Sequence, residues 1–76
     1  EAYYNRVLAL YHLKQYKNTI ANLDVVIRLN PSFADAYYYR GLSKGILNDF
    51  SGACMDFKKA SELGNLDAKD LAGDCK

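Results

Sequence analysis

Ala2-Tyr3-Tyr4-Asn5-Arg6 returns 34 residues later as Ala36-Tyr37-Tyr38-Tyr39-Arg40, and that echo decides how the chain is read. The same offset pairs Leu8 with Leu42, Leu13 with Leu47, Tyr16 with Phe50, Leu29 with Leu63 and Ala34 with Ala68. Self-similarity at a fixed period of this length marks a unit that cannot bury its apolar face alone and must stack on a neighbour. Function in such arrays resides in a surface and not in a catalytic cluster.

Outward from the repeat, the apolar residues keep helical spacing. Over residues 2–14, Tyr3, Val7, Leu10 and Leu13 form one stripe, and Tyr4, Leu8 and Tyr11 form a second on a neighbouring face. Residues 16–30 place Ile20, Leu23, Val26 and Ile27 inward, with Lys17, Asp24 and Arg28 outward. Asn30-Pro31-Ser32 ends this helix, because proline lacks an N–H and disfavours helical geometry in the residue before it. A third helix is predicted over 33–47, with Asn48-Asp49 as its turn. A fourth over 50–63 carries Ala53, Phe57, Ala60 and Leu63 at helical spacing. Gly64-Asn65 supplies a left-handed stop. Asp67 is the predicted cap of a short fifth helix over 67–75, in which Ala68, Leu71, Ala72 and Cys75 share a face. Short connections force consecutive helices to run antiparallel.

Composition narrows the function. Seventy-six residues form one small domain, and a chain of this size buries only about 60% of its unfolded surface. Ten basic residues alternate with nine acidic ones for a net charge of +1, so no basic stripe is present for nucleic acid. Lys58-Lys59, the densest basic spot, reads as a solvated helix face. No apolar run approaches the ~20 residues that span a bilayer. The chain starts at Glu1 and enters a helix at once, as a fragment of a longer protein would. No compartment is fixed, although the cytoplasm is favoured. Cys54 and Cys75 are separated by 21 residues without CxxC spacing. Cys54 falls on an apolar helix face, and two free thiols are expected. His12 has no partner for a zinc site or for general-base chemistry. The aspartates at 24, 35, 49, 56, 67, 70 and 74 lack a calcium-loop pattern, and Gly41 and Gly45 lie within a helix, not in a phosphate loop. No cofactor, no metal and no enzymatic activity are expected.

With these residues in place, the chain resembles the tetratricopeptide repeat (TPR) family over about residues 2–71. In the second repeat Tyr37 fills the first aromatic slot of the family pattern and Gly41 its small slot. Ala53 and Phe57 fill the Ala-x3-Phe element, with Ala60 a further close-contact residue, and Pro31 closes the first repeat. The first repeat departs, with Val7, Thr19 and Val26 where the second has Gly41, Ala53 and Ala60. These bulkier side chains predict a wider or shifted helix packing there. Leu10 and Lys44 stand where the family often has Tyr, and Asn65 replaces the second proline. The stretch from Lys58 to Ala68 is also similar to Sel1-like repeats, whose periods are longer.

The resemblance implies an all-α, right-handed α-solenoid of antiparallel helix pairs: repeat one at about 1–33, repeat two at about 34–67, and a C-terminal solvating helix at about 67–75. It implies a protein–protein interaction module, a scaffold or adaptor, whose concave face takes a partner peptide. The groove residues carried over are Glu1, Tyr4, Leu8, Tyr11 and His12, then Asp35, Tyr38, Leu42, Gly45 and Ile46, with Lys69 and Ala72 from the fifth helix. Residue spacing independently singles out Tyr4, Leu8 and Tyr11 as an apolar stripe beyond the one used for pairing. Whether neighbouring helices or a ligand fill that stripe stays open. The family's carboxylate clamp of Lys and Asn is not implied, because Tyr4, Leu8 and Tyr39 hold those slots. Arg6 and Arg40 recur in register and predict an ion pair between helices. The alternatives are a structural repeat that self-associates through end faces near Tyr3, Leu10 and Ile20, and a regulatory segment of a larger enzyme.

Overall fold

The computed structural model describes residues 2–75, with side chains from residue 4 onward; Glu1 and the Tyr3 side chain, both named above, lie outside them. The chain is all-α: α1 (Ala2–His12), α2 (Tyr16–Leu29), α3 (Ala34–Ile46), α4 (Phe50–Glu62) and α5 (Leu66–Gly73). Each helix packs chiefly on the helices adjacent in sequence, which yields an open stack of helical hairpins.

Three of the four connections close in the same way. Lys14 (φ 62°), Asn48 (φ 70°) and Gly64 (φ 104°) each adopt the left-handed conformation two residues past a helix. The N–H of the following residue then reaches back five positions: Gln15 to the Leu10 carbonyl, Asp49 to Lys44 and Asn65 to Ala60, at 3.0, 2.8 and 2.9 Å. This is the longer bond of a Schellman closure. The same three residues begin the next helix. Asp49 caps α4 by accepting from the Gly52 N–H at 3.0 Å, and Asn65 caps α5 by accepting from Ala68 at 2.8 Å. Asn65 therefore takes the capping position expected of Asp67, which sits inside the first turn. The reason is that the helix begins at Leu66, directly out of the Gly64 turn, so its cap falls two residues earlier. The α2–α3 connection differs: Pro31 stops α2, and the Asn30 side chain accepts from the Ser32 N–H at 3.3 Å.

Two adjoining clusters make the core. Val7, Leu23, Val26 and Ala36 form the first, with Phe33 and Tyr39 against it; Tyr37, Ala60 and Ala68 form the second, and Ile27 touches both. Gly41 sits where α3 and α4 meet most closely. A Cβ added there would lie 2.7 Å from the Phe57 ring and 3.2 Å from the Ala53 carbonyl oxygen. In the first repeat the bulk moves across the seam: Val7 replaces Gly41 while the smaller Leu23 replaces Phe57, and both are fully buried. Thr19 and Ser43 are buried too, and each donates its hydroxyl to its own helix, to Gln15 O at 2.8 Å and Tyr39 O at 2.9 Å. Leu13, assigned to the inward stripe of the first helix, is 66% exposed because α1 ends at His12 and the backbone turns away.

A charged clamp ties three helices together. Arg40 of α3 donates to both Asp56 oxygens on α4, from Nε at 2.9 Å and Nη2 at 2.7 Å, and to Asp24 of α2 at 3.0 Å. Lys44 Nζ lies 3.2 Å from Asp56. The expected interhelical ion pair is present at Arg40. Asp56, read from sequence only as one of seven aspartates without a calcium-loop pattern, is 3% exposed. The hydrogen bonds to Asp56 hold the Arg40 guanidinium above its ordinary pKa against the opposing effect of burial, with the Coulombic pull of Asp56 and then the Asp24 contacts adding to them.

The cysteines correct the sequence reading: Cys54 and Cys75 form a disulfide, with Cα atoms 5.8 Å apart. Their separation of 21 residues hides the pairing. Because α5 folds back antiparallel on α4, the residue just past its end returns to the first turns of α4.

Candidate functional site

Three consecutive tyrosines on α3 cannot share one face, since successive helical residues point about 100° apart. Each accordingly meets a different neighbour. Tyr37 is buried, and its hydroxyl donates to the Pro31 carbonyl at 3.1 Å. Tyr38 turns toward α4 and α5, with its ring 6.3 Å from Phe57 and Asp67 close enough to act on its phenol. Tyr39 turns toward α1, where its ring lies 5.3 Å from Tyr11 and 6.3 Å from Tyr4.

Tyr39 is the hub of this set. It also meets Tyr38 at 5.3 Å, edge to face. Tyr4 leans on Phe33 at 4.7 Å, and Tyr11 meets Tyr16 at 5.7 Å. A continuous aromatic surface thus bridges α1 and α3. Its rings pair mostly edge-on, the arrangement their quadrupoles favour. Tyr4, Tyr11, Tyr38 and Tyr39 are all half-buried, so packing covers part of each ring and leaves the rest to solvent.

The structure brings Tyr4, Tyr11 and Tyr38 together through Tyr39. Leu8 and Leu42 are half-buried at equivalent positions of α1 and α3. His12 is exposed, with its ring 5.9 Å from Tyr11. Ile46, on the last turn of α3, is 48% exposed. Asp35 is exposed and accepts from the Asn65 side chain at 2.9 Å, which ties the start of α3 to the α5 cap. Lys69 is exposed on α5, and Gly45 and Ala72 are half-buried.

Tyr39, Phe33, Tyr16 and Phe57 join the aromatic surface without having been placed on it from sequence. The Tyr37-Tyr38-Tyr39 run was the available signal. Three large rings in one helical turn need three separate neighbours, and only α1 remained for the third.

Three of these phenols, those of Tyr4, Tyr11 and Tyr38, are held neutral to higher pH than usual. Burial pushes all three pKa values upward; Asp35 and then Tyr39 reinforce it at Tyr4, while Asp67 and then Tyr39 do so at Tyr38. At Tyr11 the reinforcement comes from Tyr16, Tyr38 and Tyr39. Near neutral pH Tyr4, Tyr11 and Tyr38 therefore present uncharged rings with polar tips, with His12 beside Tyr11, Asp35 near Tyr4 and Asp67 near Tyr38. Such a surface suits contact with apolar and aromatic side chains and hydrogen bonding to an extended backbone.

Two depressions lie elsewhere. One of about 430 Å³ at the α1–α2 turn is lined by Lys14, Gln15, Tyr16, Lys17, Asn18 and Leu47. The other, about 380 Å³, lies beside the clamp among Tyr37, Arg40, Met55, Asp56 and Lys59. Among the described residues no group of three His, Cys, Asp or Glu converges to hold a metal, and no helix is long and apolar enough to cross a membrane.

No protein-family profile matches the chain. It is similar to RNA polymerase II-associated protein 3 of Xenopus tropicalis, 37% identical over 68 residues, covering 87% of this chain and 10% of that protein. The Xenopus laevis protein of the same name is 34% identical over 68 residues, with the same coverage. Serine/threonine-protein phosphatase T of Aspergillus oryzae is 32% identical over 74 residues, covering 95% of this chain and 16% of that protein. The chain thus spans between a tenth and a sixth of the length of these relatives.

Proposed function

We propose that this chain is a tetratricopeptide-type protein-interaction module, two helical-hairpin units at about 1–33 and 34–67 closed by α5. Its inner face takes an extended peptide segment of a partner protein. The observation that carries this reading is the half-exposed aromatic surface of Tyr4, Tyr11, Tyr38 and Tyr39 across α1 and α3. A helix pair that needed only to pack would have no use for four partly solvated rings set side by side.

The relatives support it from another direction. Their names describe one protein associated with RNA polymerase II and one phosphatase, yet the same short segment matches both. A segment common to proteins of such different description supplies attachment more naturally than the chemistry of either.

The test is to pan a random peptide display library against the chain and map the selected peptide by backbone amide NMR. Shifts should concentrate at residues 4, 8, 11, 38 and 42. Tyr38→Ala and Tyr11→Ala should each weaken binding by about 2 kcal/mol, roughly thirtyfold, the scale of an interface hot spot. Shifts confined to the outer face around Lys17, Lys58 and Lys59 would overturn the reading. So would variants that lose binding only in proportion to lost folding.

A further inference from the structure

The α5 helix is too weak to stand on its own contacts. It has eight residues, whereas isolated helices below about 12–15 residues are marginal in water. Only Ala68 is buried, and Leu66 is 78% exposed. Its start is secured by the Asn65 cap and by the hydrogen bond from Asn65 to Asp35. Its end is secured by the Cys54–Cys75 disulfide, beyond the last backbone bonds from Asp74 to Leu71 and from Cys75 to Ala72. Beyond the Ala68 contact with the core, the helix is therefore held at two points, one polar and one covalent. Both sulfur-bearing residues are partly exposed, so a small dithiol can reach the bond.

We propose that the Cys54–Cys75 disulfide is a reversible redox latch that holds or releases the C-terminal half of α5. A dithiol reductant supplies two electrons and two protons. One of its thiolates attacks a sulfur of the pair to form a mixed disulfide, and its second thiolate resolves that bond. The reductant leaves as a cyclic disulfide, and Cys54 and Cys75 leave as thiols. The Leu71 carbonyl oxygen, 3.5 Å from the Cys75 sulfur, belongs to α5 itself and gives a freed thiol no hold on α4. With the covalent point gone, α5 frays from residue 75 back toward Ala68, and the α4 surface beneath it opens. The polar mount at Asn65 keeps the helix start in register, so reoxidation finds the partner again. The device is independent of whether the inner face binds a peptide.

The experiment is amide hydrogen exchange on the intact chain, oxidised by glutathione disulfide and then reduced by dithiothreitol, with thiols counted by alkylation in each state. The oxidised chain should show no free thiol and the reduced chain two. Exchange at residues 70–75 should quicken about tenfold or more on reduction while α1 to α3 stay unchanged, the pattern of local and not global opening. Cys75→Ser should show the fast exchange in both conditions. Two free thiols after oxidation would overturn the proposal, as would unchanged exchange in α5. An equal acceleration across all five helices would also overturn it, by making the bond a staple of the whole fold.

Discussion

Asp56→Ala should be among the most damaging single truncations in the stack, and the structure sets its size. Asp56 is 3% exposed and accepts from Arg40 at 2.7 and 2.9 Å, with Lys44 at 3.2 Å. A hydrogen bond to a charged group contributes about 1.5–3 kcal/mol, so two of them set an upper bound. The Arg40 side chain keeps 19% of its surface and its contact to Asp24, so part of the loss is recovered by water and by that contact. We expect about 3 kcal/mol, the low end for breaking a buried ion pair. At about 0.05–0.15 kcal/mol per residue, the whole chain has only some 4–11 kcal/mol to lose. The melting temperature should fall by about 12–24 °C, at about 4–8 °C per kcal/mol for a domain of this size. Asp24→Ala, whose side chain is 49% exposed, should cost only about 0.5 kcal/mol. Urea unfolding followed by helical circular dichroism gives both values, with unchanged m-values showing that the transition is the same. The double variant Arg40→Met/Asp56→Leu should recover most of the loss, because a buried pair replaced by apolar groups is often neutral. If the two single aspartate variants are equal, the distinction drawn from burial is wrong.

Gly41→Ala should destabilise by about 1–3 kcal/mol, although alanine is the better helix former by roughly 1 kcal/mol, because the new methyl meets the Phe57 ring and the Ala53 carbonyl. A gain in chemical denaturation would show that α3 and α4 can part freely. Alkaline titration tests the aromatic surface. Tyr4, Tyr11 and Tyr38 have folded pKa values raised above the unfolded value near 10, so their contribution is complete below about pH 10 and is lost as pH rises through the folded values. Thermal midpoints should hold steady to about pH 9 and then fall. Tyrosinate absorbance rising at the same pH in the native and urea-unfolded chain would contradict the burial of these phenols.

The repeat made much of the fold legible, because helical spacing and chain punctuation are local properties. Pro31 and Gly64 mark helix ends through their own backbone geometry, and Gly41, Ala53 and Ala60 mark close approach by lacking bulk. Arg40 was readable as an ion-pair partner because it recurs. Asp56 was not, since a carboxylate on a helix looks solvated until the neighbour that buries it is placed. The disulfide depends on the direction in which α5 returns along α4, which a spacing of 21 residues does not encode. Lys14 adopts a left-handed turn with no glycine or asparagine to announce it. On the aromatic surface, Tyr4 and Tyr11 follow from helical spacing, and Tyr38 from the family resemblance by position. Tyr39 required knowing that α1 lies beside α3.

Thr19 and Ser43 leave one consequence for how the stack is joined. Each hydroxyl is bonded to a carbonyl of its own helix, so neither reaches across to the helix it faces. A bond that begins and ends on one rod exerts no pull on the next. At these two positions the seams therefore carry no polar bond from one helix to the next. The Arg40 fork does the opposite, a pin through α2, α3 and α4. Around that pin three helices of the stack are held by charge, while Thr19 and Ser43 spend their hydroxyls within their own rods.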